Sequence, residues 1–237
     1  MRLIIILLLI TLTSSTGIFV DVFTANSSLT TEDNRTFTYF CIKIPTLVSS
    51  RNSIIAIGEG RLESCADVAP THLIYRTSTD GGITWSSLKL LHSSGDEIVG
   101  NIAPVLLPNG DILAPFTLNN REAWMTRSTD NGFSWSPPIL TPNLTLDDWV
   151  WVGYGPPSSI VLQSGRIIIP GYHSTTSMSN SSSVGSGFTK GHIVISDDGG
   201  DTFQILCESF GDPYFVNELQ AAELSDGTII INSRVLS

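Results

Sequence analysis

Basic residues are scarce in this chain: 12 Lys and Arg stand against 22 Asp and Glu, for a net charge of −10. A body this acidic excludes nucleic acid and anionic membrane as main partners, since both are polyanions that bind through basic patches. An anionic ligand would need a locally basic pocket. Charged residues of both signs make up 14%, below the usual quarter, and Ser, Thr, Asn and Gly fill the polar positions. Cysteine is limited to Cys41, Cys65 and Cys207. An odd number permits at most one intrachain disulfide, with Cys41–Cys65 the local candidate, and three small buried hydrophobes is an equally open reading. No Cys-x-x-Cys or Cys/His cluster is present, which argues against zinc. No cofactor is called for. Beyond the N-terminus no apolar run is long enough to cross a bilayer, and no 3.6-residue helical period competes in the mature chain.

What is there begins with a secretory signal. Met1-Arg2 precedes the apolar run Leu3–Leu12, and the small residues Ser14-Ser15-Thr16-Gly17 follow. Residues 1–17 therefore read as a signal peptide, placing the protein outside the cell or in a lysosomal lumen. Asn26, Asn34, Asn143 and Asn180 each open an Asn-x-Ser/Thr triplet, in keeping with secretion. Residues 18–36 are polar, without clear period, and read as a lead-in segment.

The rest is organised around an eight-residue unit: Ser78-Thr79-Asp80-Gly81-Gly82-Ile83-Thr84-Trp85. It returns at 128–135 and, ending in Phe203, at 196–203, with the pattern Ser-x-Asp-x-Gly-x-(Thr/Ser)-aromatic. Each copy follows a strand-like apolar run. As a hairpin turn the unit is chemically coherent: Asp accepts from free backbone N–H groups and Gly supplies positive φ. It lacks the alternating ligands and closing Glu of a calcium loop. Turn signals such as Pro108-Asn109-Gly110 and Gln163-Ser164-Gly165 mark about four strands per repeat. The fold expected is all-β, with the blade plan of a propeller. Ser174–Thr189 reads as a Ser/Gly-rich insertion in the third repeat, and a fourth repeat starts at Phe215.

The repeated unit resembles the Asp-box of the sialidases (neuraminidases), although sortilin-type propellers carry one too. Ile42-Lys43-Ile44-Pro45, Gly58-Glu59-Gly60-Arg61, Trp151–Pro156 with Gly165–Pro170, and Asn217-Glu218-Leu219-Gln220 through Arg234 resemble sialidase segments in order and spacing. The resemblance covers residues 37–237. It implies a six-bladed β-propeller of four-stranded antiparallel sheets, of which this chain holds about three and a half blades. It implies a secreted glycoside hydrolase, a retaining exo-α-sialidase acting on glycoproteins, gangliosides and oligosaccharides.

Carried over, Asp67 is the acid/base and Glu218 the base that activates a Tyr nucleophile. A neutral phenol suits this chemistry because the substrate carboxylate, on the anomeric carbon, repels a carboxylate nucleophile. Arg234 and Lys43 stand where two of three carboxylate-gripping arginines belong, and Arg61 matches a neighbouring pocket Arg. Lys43 departs from the pattern, since an ammonium lacks the bidentate fork of a guanidinium. The third Arg and the Tyr are expected beyond Ser237, so the 237 residues by themselves are expected to be inactive. Tyr154, Tyr172 and Tyr214 do not match the nucleophile. From the residues alone Asp67 also reads as a turn cap and Glu218 as a solvated carboxylate. The alternatives are a non-catalytic sialic-acid-binding propeller or inactive paralogue, and an Asp-box receptor without sialic-acid chemistry. The signal-peptide reading predicts a mature protein that starts near Gly17. N-terminal sequencing of secreted protein checks this, and a chain that still begins at Met1 overturns it.

Overall fold

β-Branched runs bounded by Gly- and Asn-containing turns form strands throughout this protein, and there is no helix among the described residues. The computed structural model describes residues 19–176, 189–210 and 215–236. The expected signal peptide, most of the Ser/Gly-rich insertion, Asn180 and Tyr214 lie outside them. In chain order the strands are β1 (Ser27–Thr30) and β2 (Thr36–Tyr39), then β3 (Cys41–Ser49), β4 (Ile54–Arg61), β5 (Thr71–Ser78) and β6 (Lys89–His92). A second group holds β7 (Val99–Gly100), β8 (Val105–Leu106), β9 (Ile112–Leu118), β10 (Glu122–Ser128) and β11 (Ile139–Leu140). A third holds β12 (Trp151–Tyr154), β13 (Ile160–Val161), β14 (Ile167–Ser174), β15 (Lys190–Ser196) and β16 (Gln204–Phe210). β17 (Phe215–Glu223) and β18 (Ile229–Leu236) complete the series.

Every pairing between these strands is antiparallel. The first sheet runs β3-β4-β5-β6. In the second, β7 and β8 share one edge of β9 and act as a single interrupted strand; β12 and β13 do the same on β14. Three four-stranded blades and a β17–β18 pair result, an all-β propeller arc. The blades pack face to face. Ile57, Leu73 and Tyr75 of the first meet Ile112, Ala114 and Phe116 of the second. Leu113 and Met125 of the second meet Tyr154, Ile167 and Val194 of the third. Central strands are buried on both faces, and in β14 the apolar run Ile167–Tyr172 is followed by His173 and Ser174, also buried.

The lead-in is more ordered than its sequence suggests, because β1 and β2 form a hairpin within and beside residues 18–36. One face is a hydroxyl ladder, Ser28–Thr38 at 2.8 Å and Thr30–Thr36 at 3.0 Å. The other places Leu29, Phe37 and Tyr39 against Ile74 and Leu88. Two four-residue strands are too short to show a period of two.

The repeated turns are built alike. Ser78 Oγ donates to Asp80 Oδ1 (2.8 Å) and accepts from the Gly82 amide (2.9 Å), while the Thr84 amide and hydroxyl both donate to Asp80 (2.9 and 2.6 Å). The pattern recurs at Ser128–Asp130–Ser134 and Ser196–Asp198–Thr202. The Thr84 hydroxyl and amide, followed by Ser78, pull the Asp80 carboxyl down to about 2. The second and third turns also dock on the blade before them. The Asn131 and Phe133 carbonyls accept from Ser53 (2.5 Å) and Tyr75 (3.0 Å) of the first blade, and the Gly199 carbonyl accepts from Arg127 (2.8 Å) of the second.

The docking contact demands glycine. Gly132 has φ of +82°, and a Cβ there would lie 2.3 Å from Ile55 Cγ1. Gly165 has φ of +90° with open space around it. Gly165→Ala should therefore cost about 1–2 kcal/mol from backbone strain alone, and Gly132→Ala about 3 kcal/mol or more from strain plus overpacking. Urea unfolding of the two variants side by side checks the ordering.

Candidate functional site

The first strand of every blade is interrupted, and each interruption carries one residue of positive φ: Ile44 (+48°), Asn101 (+52°), Gly155 (+54°) and Glu218 (+47°). In β3 the register with β4 shifts between Lys43 and Thr46, and in β17 the register with β18 shifts between Asn217 and Leu219. The other two fall in the β7–β8 and β12–β13 gaps. Main-chain groups released from the ladders bond between blades instead. The Leu219 amide donates to the Gly155 carbonyl (2.8 Å), Ser159 Oγ to the Ala103 carbonyl (2.8 Å), and the Thr46 hydroxyl to the Pro157 carbonyl.

Three of these interruptions border one cavity of ≈ 90 Å³, lined by Ile44, Asn101 and Glu218 and by Glu59, Arg61, Asp67 and Arg234. Asn120, Trp151, Tyr172 and Asn217 complete its polar and aromatic wall. A wider groove of ≈ 460 Å³ shares Ile44, Glu218 and Arg234 and extends over Pro156 and Pro157.

Arg61 is the hub. Only 3% exposed, it donates from Nη2 to Glu59 (3.0 Å) and from Nη1 to both Asp67 Oδ1 (2.7 Å) and the Cys65 carbonyl (2.6 Å). Its Nε is buried without a partner among the described residues. The Cys41–Cys65 disulfide forms, so the loop carrying Asp67 is tied to β3 covalently and to β4 through Arg61. Cys207 is free. Glu59 accepts the Asn101 amide (2.9 Å) from the second blade. Burial raises its pKa, outweighing the Asn101 amide and the Arg61 guanidinium, which favour the charged form.

Asp67 projects from this network, 69% exposed, with Oδ1 held by Arg61. Across the cavity Glu218 pairs with Arg234 Nη1 (2.9 Å), and Arg234 Nη2 donates to Asn217 (3.3 Å). Tyr172 lies fully buried against Trp151, its hydroxyl donating to Asn101 Oδ1 (3.3 Å). Burial first, then the Glu218 and Glu59 carboxylates, push that phenol up and keep it neutral. No group of three His, Cys, Asp or Glu is placed to hold a metal ion among the described residues.

Of the residues singled out from sequence, Arg61, Asp67, Glu218 and Arg234 come together in the cavity. Lys43 is exposed, opposite Glu59 in the β3–β4 register but outside the cavity wall, which Ile44 occupies instead. Sequence reasoning passed over Glu59, Asn101, Asn120 and Tyr172 as site residues. Glu59 had a signal: two residues before Arg61 in a strand, it must share that residue's face. Asn101 had none, since its place depends on a backbone kink.

Comparison with known proteins fits this geometry. No protein-family model matches the chain. An exo-alpha-sialidase of Aspergillus fumigatus is 28% identical over 56% of this chain and 41% of that protein. A sialidase of Bacteroides fragilis is 24% identical over 81% of this chain and 39% of that protein. Among solved structures, Trypanosoma rangeli sialidase in complex with sialic acid superposes with a TM-score of 0.69 at 21% identity, over 91% of this chain and 38% of that one. The Hadza microbial sialidase Hz136 gives 0.68 at 22%, over 83% and 42%. The chain is similar to these sialidases in sequence and in fold. Its fold is that of the sialidase β-propellers, and it spans about two fifths of the length of the curated sialidases it matches.

Arg61 generates a stability prediction. Removing one partner of a buried ion pair strands the other, at about 3–5 kcal/mol. Glu59 binds its proton more tightly folded than unfolded, so its contribution is full below the ordinary value of 4.5 and is lost as pH rises. Arg61→Met should therefore destabilise most at neutral pH and less near pH 4, where Glu59 is neutralised. Urea titrations at the two pH values check this.

Proposed function

We propose that the cavity belongs to an exo-α-sialidase site, one that binds a terminal sialic acid and cleaves its glycosidic bond. The observation that carries the reading is the placement of Asp67, Glu218, Arg234 and the Arg61–Glu59 pair around one small polar cavity at the blade interruptions. Asp67 is solvent-reachable and keeps Oδ2 clear of the Arg61 contact, so it can give a proton to the leaving glycosidic oxygen and later take one from water. Arg234, paired with Glu218, offers a guanidinium to the substrate carboxylate. Glu218 would then be released to act as base toward a phenol nucleophile, giving retention. Tyr172 is too deeply buried and too strongly held neutral for that task. Arg61 positions Asp67 rather than gripping substrate, because its terminal nitrogens are already engaged inside the protein. The substrates on this reading are sialylated glycoproteins, gangliosides and oligosaccharides, met outside the cell or in a lumen.

A second reading, sialic-acid binding without turnover, draws on one observation: Lys43 lies outside the cavity wall, which leaves Arg234 as its accessible guanidinium. In a protein that also supplies the phenol nucleophile, two measurements separate the readings, turnover of a fluorogenic sialoside and calorimetric binding of free sialic acid. On the catalytic reading Asp67→Asn removes turnover by at least 100-fold while leaving binding within a few-fold, and Arg234→Ala weakens binding roughly 10-fold or more. Binding that depends on Arg234 without any turnover supports the second reading, and no binding at all overturns both.

A further inference from the structure

Among the described residues seven asparagines adopt the left-handed backbone conformation, with φ between +52° and +63°. Asn tolerates that region better than other residues bearing a Cβ, so backbone demand by itself accounts for finding Asn there. It does not account for what the side chains do. Asn101 hydrogen-bonds Thr117 and accepts from Tyr172; Asn119 accepts the Ile98 amide and donates to Glu97; Asn120 donates to the Val152 carbonyl. Asn131 is half-buried within the second repeated turn. The other three, Asn26, Asn34 and Asn143, are exposed, and their carboxamides make no hydrogen bond among the described residues.

Those same three are the ones followed two residues later by a hydroxyl: Ser28, Thr36 and Thr145. The four engaged or half-buried ones are followed at that position by Ala103, Arg121, Glu122 and Phe133. A carboxamide both exposed and unbonded coincides with an acceptor triplet in all three cases, and both are missing in all four others. A bulky, solvated group on the amide nitrogen would break bonds at Asn101, Asn119 and Asn120, and breaks none at Asn26, Asn34 or Asn143. The three occupy turns: just before β1, between β1 and β2, and in the β11–β12 connection.

We propose that Asn26, Asn34 and Asn143 each carry an N-linked glycan in the mature protein. The proposal rests on the secretory reading given above, and the test keeps the two apart. The whole chain after residue 17 is secreted from a eukaryotic host under that host's own signal sequence, so that failure of residues 1–17 to direct export is scored in a parallel culture. The secreted protein is treated with peptide-N-glycosidase in H2(18)O, which marks each formerly glycosylated asparagine as 18O-aspartate for peptide mass spectrometry. Ser28→Ala, Thr36→Ala and Thr145→Ala abolish one acceptor triplet each while keeping the asparagine its turn requires. The expected result is a mark at all three asparagines, with each variant losing its own mark and one glycan's mass. An unmarked Asn26, Asn34 or Asn143 in the secreted protein overturns the assignment for that residue, and a mark that survives its variant overturns the triplet as its cause.

Discussion

Everything at the cavity depends on one backbone constraint: the first strand of each blade, and of the β17–β18 pair, leaves its ladder through a residue of positive φ. For Asn101 and Gly155 the conformation is tolerable, but a β-branched Ile44 and a Glu218 in this region cost on the order of 1–3 kcal/mol each. Such strain persists only where the surroundings fix it. Here the fixing is mutual, because amides and carbonyls freed by one interruption are bonded by the next blade's, as between Leu219 and Gly155. The three blades and the β17–β18 pair are thus joined at their interruptions as well as through their apolar faces. The reward is a small polar hollow lined by backbone that could not otherwise approach so closely.

Charge is arranged in two tiers around that hollow. The inner tier is the buried Glu59–Arg61 pair, which links the first blade to the Asn101 amide of the second and holds the Asp67 loop in place. A buried pair of this kind contributes little net stability, because desolvation offsets its attraction, yet it tolerates few other geometries. The outer tier, Asp67 and Glu218–Arg234, is open to solvent and can exchange partners. Gly100 shows how tightly the inner tier is set: a Cβ there would lie 2.5 Å from Glu59 Oε1.

Much of this was legible in the sequence, and the remainder was hidden for identifiable reasons. The repeated Ser-x-Asp-x-Gly turns announced the blades because their chemistry is local, every hydrogen bond closing within four residues. Asp67, Arg61, Glu218 and Arg234 were legible through motif resemblance. The kinks were not, since Ile44 and Glu218 carry no signature of positive φ, and so the exchange of Lys43 for Ile44 in the cavity wall was invisible too. Three cysteines left the disulfide open, and only the proximity of β3 to the Asp67 loop decides it. The β1–β2 hairpin escaped notice because its apolar face is three residues wide.

The docking of the second and third repeated turns on the preceding blade has a directional consequence. Through contacts such as Ser53 with Asn131, or Arg127 with Gly199, the preceding blade is held by chain synthesised later. As the polypeptide emerges from the ribosome, blade one is therefore clamped only once the second turn has appeared, and blade two only after the third. Assembly is then a zipper that runs from the N-terminal end, in which every newly made unit completes its predecessor before it is itself complete.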